Sequence, residues 1–323
     1  MTVSPDWSDD QNICFIGFGE AGEALSGGFR SYDSVAWDKK LLVDRRGFRE
    51  RIQSAGFKPA ESLEDALDGV DWVISLVTAD QAAVVCEQVC SNSRAKFSYL
   101  EMNSCSPGTK RANARMVADA GGVLADIAIM SPVNPLRLET PLLVSGPSAG
   151  DCVSFLNHFG YNASLCGPEV GQASAIKMTR SIMIKGVEAL SAECFLTAER
   201  LGIQPEIVAS LTKSFDGLDW LSRGGYNLER MCKHGIRRAA EMREVVATIQ
   251  ETGLPANMTR STVDWQQTIG DLALDSDTED LADAFLSDSS GVYNIAGTVN
   301  SGVCSVTNKE MIIPAEYTPV FAN

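Results

Sequence analysis

Three groups of residues in this chain have the types and spacing to do chemistry. The first is Gly17-Phe18-Gly19-Glu20-Ala21-Gly22, which follows the apolar run Ile13-Cys14-Phe15-Ile16 and opens a helical pattern over Glu23 to Phe29. In such a strand–loop–helix, the first glycine allows the tight turn and the second lets backbone approach a pyrophosphate. The third lets the helix pack on the strand. Free N–H groups and the positive end of the helix dipole then face the phosphates. A second apolar strand, Ser34-Val35-Ala36-Trp37, ends in Asp38, 21 positions after Gly17. That is close to the offset of about 20 residues for the carboxylate that bonds the adenine ribose hydroxyls. The plainer reading is a glycine turn in an ordinary βα unit. The strand before it, the helix after it and the acid at this distance together favour dinucleotide binding. Asp38 points to NAD, because a carboxylate there repels the extra phosphate of NADP. Lys39 and Lys40 follow directly and are placed to pair with that phosphate, so NADP stays open.

The second group is Lys177, Ser181 and Lys185, spaced by four along one helical face among Ile176, Met178, Ile182, Met183 and Ile184. A lysine on such a face is unfavourable unless its ammonium reaches water or does work. Partial desolvation would lower its pKa towards general acid/base duty. By spacing alone, a solvated helix face is the plainer account.

The third group reverses the sign of the chain. Arg223 to Arg243 holds six Lys and Arg against two acids, Glu229 and Glu241, in a protein of net charge −15. Arg230, His234, Arg237 and Glu241 fall on one helical face. The face reads as an anion site for a substrate carboxylate or phosphate, where arginine is preferred for bidentate contact, or as salt-bridging at a subunit interface. His234 alone reads as a polar helix residue.

The elements that must position these residues are legible in outline. Strands at Ile13–Ile16, Ser34–Trp37, Asp71–Val77, Phe97–Met102, Val123–Ile129, Pro141–Ser145 and Ala163–Cys166 alternate with helical segments. Those segments are Arg45–Ala55, Gln81–Ser91, Thr109–Ala120 and Ala149–His158, and Ser62 caps a short further one with Asp65 three places on. Alternation of this kind implies a parallel, doubly wound sheet, with ligands bound outside the carboxyl ends of its strands. Those ends are Gly17–Gly22, Asp38, Val77-Thr78, Asn103-Ser104 and Met130-Ser131-Pro132. The texture changes at Gly167-Pro168. A long helix runs from Gly171 to Leu201, a second from Asn227 to Gln250 and a third from Thr259 to Leu274. The expected division is therefore 1–168, a Rossmann domain, and 169–323, an all-helical substrate and dimerisation domain with a C-terminal tail from Asp275.

Composition narrows the function. A length of 323 residues suits two domains. The net charge of −15 argues against nucleic acid or an anionic membrane as partner. Nine scattered cysteines and two histidines complete no metal-ligand pattern, and the cysteines read as reduced thiols of a cytoplasmic protein. Met1 to Gln11 is polar and acidic, unlike a signal peptide. No apolar stretch reaches the roughly 18 residues of a membrane span.

The chain resembles the β-hydroxyacid dehydrogenases, which include 6-phosphogluconate and 3-hydroxyisobutyrate dehydrogenases. The landmarks run from Gly17–Gly22 through Ser104 with Pro107 and Asp126 to Gly171 with Lys177, over about Ile13 to Leu274. The strings "GFGEAG", "NSCSPGTKR", "MSPVNP", "LLVSGP", "KMTRSIMIKG" and "HGIRRAAEM" resemble a phosphogluconate-dehydrogenase-like branch with an uncharacterised C-terminal domain. The resemblance implies a Rossmann domain, a helical second domain joined to it by a long interdomain helix, and a homodimer. It implies Lys177 as the catalytic lysine that assists removal of the hydroxyl proton as hydride leaves the adjacent carbon. By the same match Val77, Thr78 and Asn103 lie near the nicotinamide. Ser104, Met130, Ser131, Pro132, Ser181, His234 and Arg237 lie near a small hydroxy-acid substrate, with Asp126 at the substrate loop.

Several positions depart from the family pattern. Ser181 stands for the usual asparagine, Met130-Ser131-Pro132 for Ser-Gly-Gly, and Ala240-Glu241 for a Lys-Asp pair. These point away from 6-phosphogluconate itself, and Arg180, Lys185, His234 and Arg237 are candidate replacements. The sequence supports an NAD(P)-dependent oxidoreductase acting on a β-hydroxy acid or related polyol acid. An imine reductase-like enzyme and a non-catalytic dinucleotide sensor are the alternatives.

Overall fold

The computed structural model describes residues 12–29, 34–93 and 96–273. The acidic stretch after Asp275 and the tail to Asn323 lie outside the described residues. The first half contains β1 (Ile13–Ile16), α1 (Glu20–Leu25), β2 (Val35–Trp37), α2 (Arg45–Ser54), β3 (Lys58–Pro59), α3 (Leu63–Ala66) and β4 (Trp72–Ser75). It continues through α4 (Ala82–Asn92), β5 (Ser98–Glu101), α5 (Pro107–Asp119), β6 (Val123–Ile129), β7 (Pro141–Ser145), α6 (Ala149–His158) and β8 (Asn162–Gly167). Helices α7 (Gln172–Arg200), α8 (Gln204–Ser214), α9 (Trp220–Glu251) and α10 (Asn257–Asp271) follow.

The strands form one eight-stranded sheet in the order β3-β2-β1-β4-β5-β6-β7-β8. Strands β1 and β4 are buried at all four positions, as expected for strands covered on both faces. On one face Phe15, Phe18, Phe29, Phe57 and Phe155 gather, and Trp72 stacks on Phe155 at 3.8 Å and 7°. On the other, Val85, Cys86 and Val89 of α4 and Val117 of α5 meet Ile16, Val73 and Tyr99. The sheet is parallel, as the alternation of strands and helices implies, except at one pair, where β6 and β7 run antiparallel. The link between them, residues 130–140, holds only a short 3-10 turn at Arg137–Glu139. A parallel return needs a crossover of about a dozen residues or more, usually helical.

Local chemistry accounts for the helix starts. Ser62 accepts from Asp65 N, and Asp65 answers one residue before the cap, at Glu61 N. Ser106 caps α5 with Pro107 in its first turn, so the helix begins earlier than Thr109. Asp219 caps α9 through Leu221 N and Ser222 N, so α9 starts at Trp220 rather than Asn227. It runs through Gly224-Gly225, which are buried, so packing overrides their poor helix propensity. Helix α7 spans about 44 Å at about 1.5 Å per residue. It buries Met178, Ser181, Lys185, Glu188, Ala192 and Phe195. Gly235 of α9 and Gly270 of α10 sit where a Cβ on either would strike the other helix's backbone.

Candidate active site

The glycine loop after β1 has the geometry its spacing predicts. Gly17 has φ +90, and a Cβ there would run into the Leu76 carbonyl. A Cβ on Gly22 would strike the Gly17 carbonyl, so this glycine seats α1 on the loop. A Cβ on Gly19 would meet nothing within 4 Å. The backbone there faces open space of the kind a pyrophosphate needs, so the residues present fit a dinucleotide. Asp38 at the end of β2 is buried. Its carboxylate accepts from Phe18 N at 2.8 Å and from Lys40 N at 2.9 Å. It thus ties the second strand to the glycine loop, while Lys39, Glu20 and Thr78 are exposed and Ala21 half-buried.

At the ends of β4 and β5 a second set of side chains converges. Asn103 accepts from Val77 N at 2.6 Å and donates to Ser75 Oγ at 2.9 Å and to Glu101. The neighbouring Ser104 Oγ accepts from Lys177 Nζ at 2.6 Å. This contact joins the sheet to α7 and brings together Val77, Asn103, Ser104 and Lys177. Two carboxylates of α9 hold the start of α5 beside it. Glu244 accepts from Ser106 N at 2.7 Å and Thr109 Oγ1 at 3.1 Å, and Glu251 accepts from Gly108 N at 2.9 Å.

Burial lowers the pKa of Lys177 to about 8. Glu241 opposes this, and Lys185, Lys110 and Arg237 add to it. Two turns further along α7, Lys185 Nζ donates to Ser181 Oγ at 3.3 Å and pairs with Glu241 at 3.2 Å. Arg237 reaches the other oxygen of Glu241 at 2.6 Å. Burial pushes the Glu241 carboxyl up, but Lys185, Arg237 and Lys177 outweigh it and hold the group at about 2. The arrangement is one carboxylate between two cations, Lys185 and Arg237, beside a lysine of reduced basicity. It can move a proton at Lys177 and attract an anionic group next to it.

Met130 and Ser131 are half-buried and Pro132 is exposed. Arg180 Nη1 approaches the Met130 carbonyl at 3.5 Å, linking this loop to α7. His234 is lowered to about 4 by burial and by Arg230, Arg237 and Arg238, with Glu20 opposing, so the imidazole is neutral near pH 7. The basic stretch is partly paired within the chain: Lys233 with Glu229, Arg237 with Glu241, and buried Arg238 with Glu188 of α7. Arg230 Nε is buried without a hydrogen-bond partner.

One expectation is corrected. Asp126 is not at a substrate loop. It is fully buried in β6, and its Oδ2 accepts from Gly171 N, Ser174 N and Ser174 Oγ at the start of α7. Sequence reasoning missed Glu101, Lys110 and Glu244, which look like ordinary charges of a strand end and two helices. The described cysteines are free thiols, most of them buried. Among the described residues no helix is long and apolar enough to cross a membrane.

Residues 198–269 match the family described as "Domain of unknown function (DUF1932)". A conserved hypothetical protein of Sinorhizobium meliloti 1021 is 31% identical, with 90% of this chain and 95% of that one covered and a TM-score of 0.67. The conserved protein MTH1747, of unknown function and structurally similar to 3-hydroxyacid dehydrogenases, is 29% identical over 84% of this chain and 99% of that one, with a TM-score of 0.62. The 3-hydroxyisobutyrate dehydrogenase of Mycobacterium tuberculosis, studied with L-serine, reaches a TM-score of 0.64 at 15% identity, covering 86% and 99% of the two chains. At that identity the likeness bears on the fold alone.

Proposed function

This chain belongs to the β-hydroxyacid dehydrogenase superfamily, in the branch with the uncharacterised C-terminal domain, and on that premise we propose that it oxidises a β-hydroxy acid or related polyol acid with NAD(P). The single observation that carries the reading is the 2.6 Å contact of Lys177 Nζ with Ser104 Oγ, one residue from the Asn103–Val77 hydrogen bond. An amine lowered to about 8 stands there at the mouth of the sheet. Roughly a tenth of it is free base at pH 7, one pH unit below that value.

When bound, the nicotinamide supplies hydride acceptance or donation at the substrate carbon. In the oxidative direction Lys177, as free amine, takes the hydroxyl proton while hydride leaves the carbon that bears it. Ser104 Oγ accepts from the resulting ammonium, and Glu241 stabilises it. In the reductive direction the same ammonium returns the proton to the new alkoxide oxygen. The excess positive charge of Lys185 and Arg237 over Glu241 suits a substrate carboxylate, with Ser181 beside it and Arg180, Met130, Ser131, Pro132 and His234 around the rim. Gly17–Gly22 and Asp38 would hold the cofactor's phosphates and adenine ribose. Buried Asp38 supports NAD, and exposed Lys39 and Lys40 keep NADP in play.

We further propose a cytoplasmic homodimer, with a Rossmann domain over 1–168 and a helical substrate and dimerisation domain over 169–323. The support for a dimer is a stripe at sevenfold spacing on α7, where Ile176, Met183 and Leu190 are 44%, 67% and 60% exposed. Sedimentation of the full chain tests it, and a monomer at working concentration would remove it. The catalytic reading is tested by coenzyme reduction across a panel of hydroxy acids, with Lys177→Met in parallel.

A further inference from the structure

Lys110 has no exposed surface. It stands in the first turns of α5, where a lysine ordinarily reaches water. Its Nζ donates to the Glu101 carbonyl at 2.5 Å and lies 3.3 Å from Asp126 Oδ1 and 3.9 Å from Glu101 Oε1. Each of its partners leads to one side of the candidate site. Glu101 accepts from Asn113 Nδ2 at 3.0 Å and from Asn103, and Asn103 in turn holds Val77 N. Asp126 Oδ2 collects Gly171 N at 3.0 Å, Ser174 N at 3.1 Å, Ser174 Oγ at 2.6 Å and Ser145 Oγ at 3.3 Å. Ser145 Oγ also accepts from Ala173 N at 3.0 Å.

The N-cap of α7 is Gly171, which has no side chain to satisfy that first turn. The sheet supplies the acceptors instead. Lys177 sits on the next turn, and Ser104 follows β5 by three residues. Both partners of the Lys177–Ser104 contact therefore hang from elements that one buried ammonium holds together. A buried ion network is expensive to desolvate, and an apolar core of the same shape would often be as stable. Stability alone therefore does not explain a fully buried lysine at this junction.

We infer that Lys110 is a positioning residue: through Glu101 and Asp126 it locks the end of β5 to the first turn of α7, and so holds Lys177 against Ser104 in a partly dehydrated setting. The geometric link stands on its own, and only its catalytic consequence rests on the function proposed above. The charged and titratable groups that face Lys177 are Lys185 on α7, Arg237 and Glu241 on α9, Lys110 on α5 and Cys105 beside Ser104. Glu244 is held at Ser106. Loosening the lock hydrates Lys177, which returns its basicity towards the ordinary lysine value of 10.5.

The test is the pH dependence of Lys177 acetylation by trace acetic anhydride in the full-length protein. Exposed Lys213 serves as the internal standard and peptide mass as the readout. The informative variant is Lys110→Met with Asp126→Asn. It removes one positive and one negative charge together and leaves a side chain able to cap α7. Far-UV circular dichroism and thermal unfolding establish that it folds. The expected result is an upward move of the Lys177 midpoint by about one pH unit, read as a roughly tenfold loss of labelling on the acid side of the wild-type midpoint. Ser174→Ala keeps every charge and is expected to move the midpoint in the same direction by less. A folded double variant with the wild-type midpoint overturns the inference. If the double variant does not fold, an unmoved midpoint in Ser174→Ala overturns it. Coenzyme reduction on the same samples separates the two ideas. A shifted midpoint in a protein whose wild type turns over no acid keeps the lock and removes the dehydrogenase, and turnover with an unmoved midpoint does the reverse.

Discussion

Lys177 and Ser104 are 73 positions apart in sequence and meet at 2.6 Å across the junction of the sheet and the helical half. The hydroxyl belongs to the loop that also carries Asn103, and the amine to the second turn of α7. Neither residue is distinctive alone. Their meeting beside Asn103 and Val77 turns a half-buried lysine into a candidate acid and base.

The glycine loop makes a prediction that separates folding from binding. Gly19→Ala adds a Cβ that meets nothing in the protein, so thermal unfolding should be unchanged within about 1 kcal/mol. Dinucleotide affinity, read by NADH fluorescence titration, should fall at least about tenfold, since the methyl occupies the phosphate approach. Gly22→Ala strikes the Gly17 carbonyl and should lower stability and affinity together. Equal NADH affinity in Gly19→Ala and wild type would place the phosphates elsewhere.

The pH dependence has a defined sign. Oxidation requires Lys177 as free base, so kcat/KM for oxidation should rise with pH through about 8 and then level. Reduction needs the ammonium and should fall over the same range. Lys177→Met should abolish this limb and lower kcat about 10²- to 10⁴-fold. A limb near 8 that survives in Lys177→Met belongs to another group.

Glu241 links the site to stability. Its folded pKa of about 2 lies below the ordinary 4.5. Its contribution is therefore fully present above about 4.5, and is lost as pH falls towards 2. Glu241→Gln should lower stability at neutral pH by about 3 kcal/mol, measured by urea unfolding, and flatten the acid limb of the stability profile. It should also lower the Lys177 midpoint further, because Glu241 is the group that raises it. Unchanged acid stability in the variant would contradict the pairing with Lys185 and Arg237.

Asp38 makes the cofactor question testable. The wild type should bind NADH more tightly than NADPH. Asp38→Ala should weaken NADH and narrow the difference, since it removes both the ribose partner and the hydrogen bonds to Phe18 N and Lys40 N. A wild-type preference for NADPH would assign the adenine end to Lys39 and Lys40 instead.

The sequence made the glycine loop, the buried strands and the course of α7 readable, because tight turns and apolar runs are local signals. The direction of β7 was not readable, since a strand reads the same either way and only the short 130–140 link betrays it. The early start of α9 was hidden by Gly224-Gly225, whose helical state comes from burial against neighbours. Lys177 could be singled out by its apolar surroundings and by resemblance. Lys110 could not. In Thr109-Lys110-Arg111 it looks like a solvated helix residue, and its role appears only when β5 and β6 bring Glu101 and Asp126 to it. Glu241 was visible on the face it shares with Arg237 and as a departure from a family pattern, but its pairing with Lys185 was not, because the two meet across helices.

The most direct measurement is coenzyme reduction, with NAD+ and NADP+, over short β-hydroxy acids, sugar acids and their phosphates, for wild type and Lys177→Met side by side. Turnover on one acid class is expected in the wild type and its loss in the variant, with coenzyme affinity equal in the two. Tight coenzyme binding with no turnover on any acid, or turnover that survives in Lys177→Met, would contradict it.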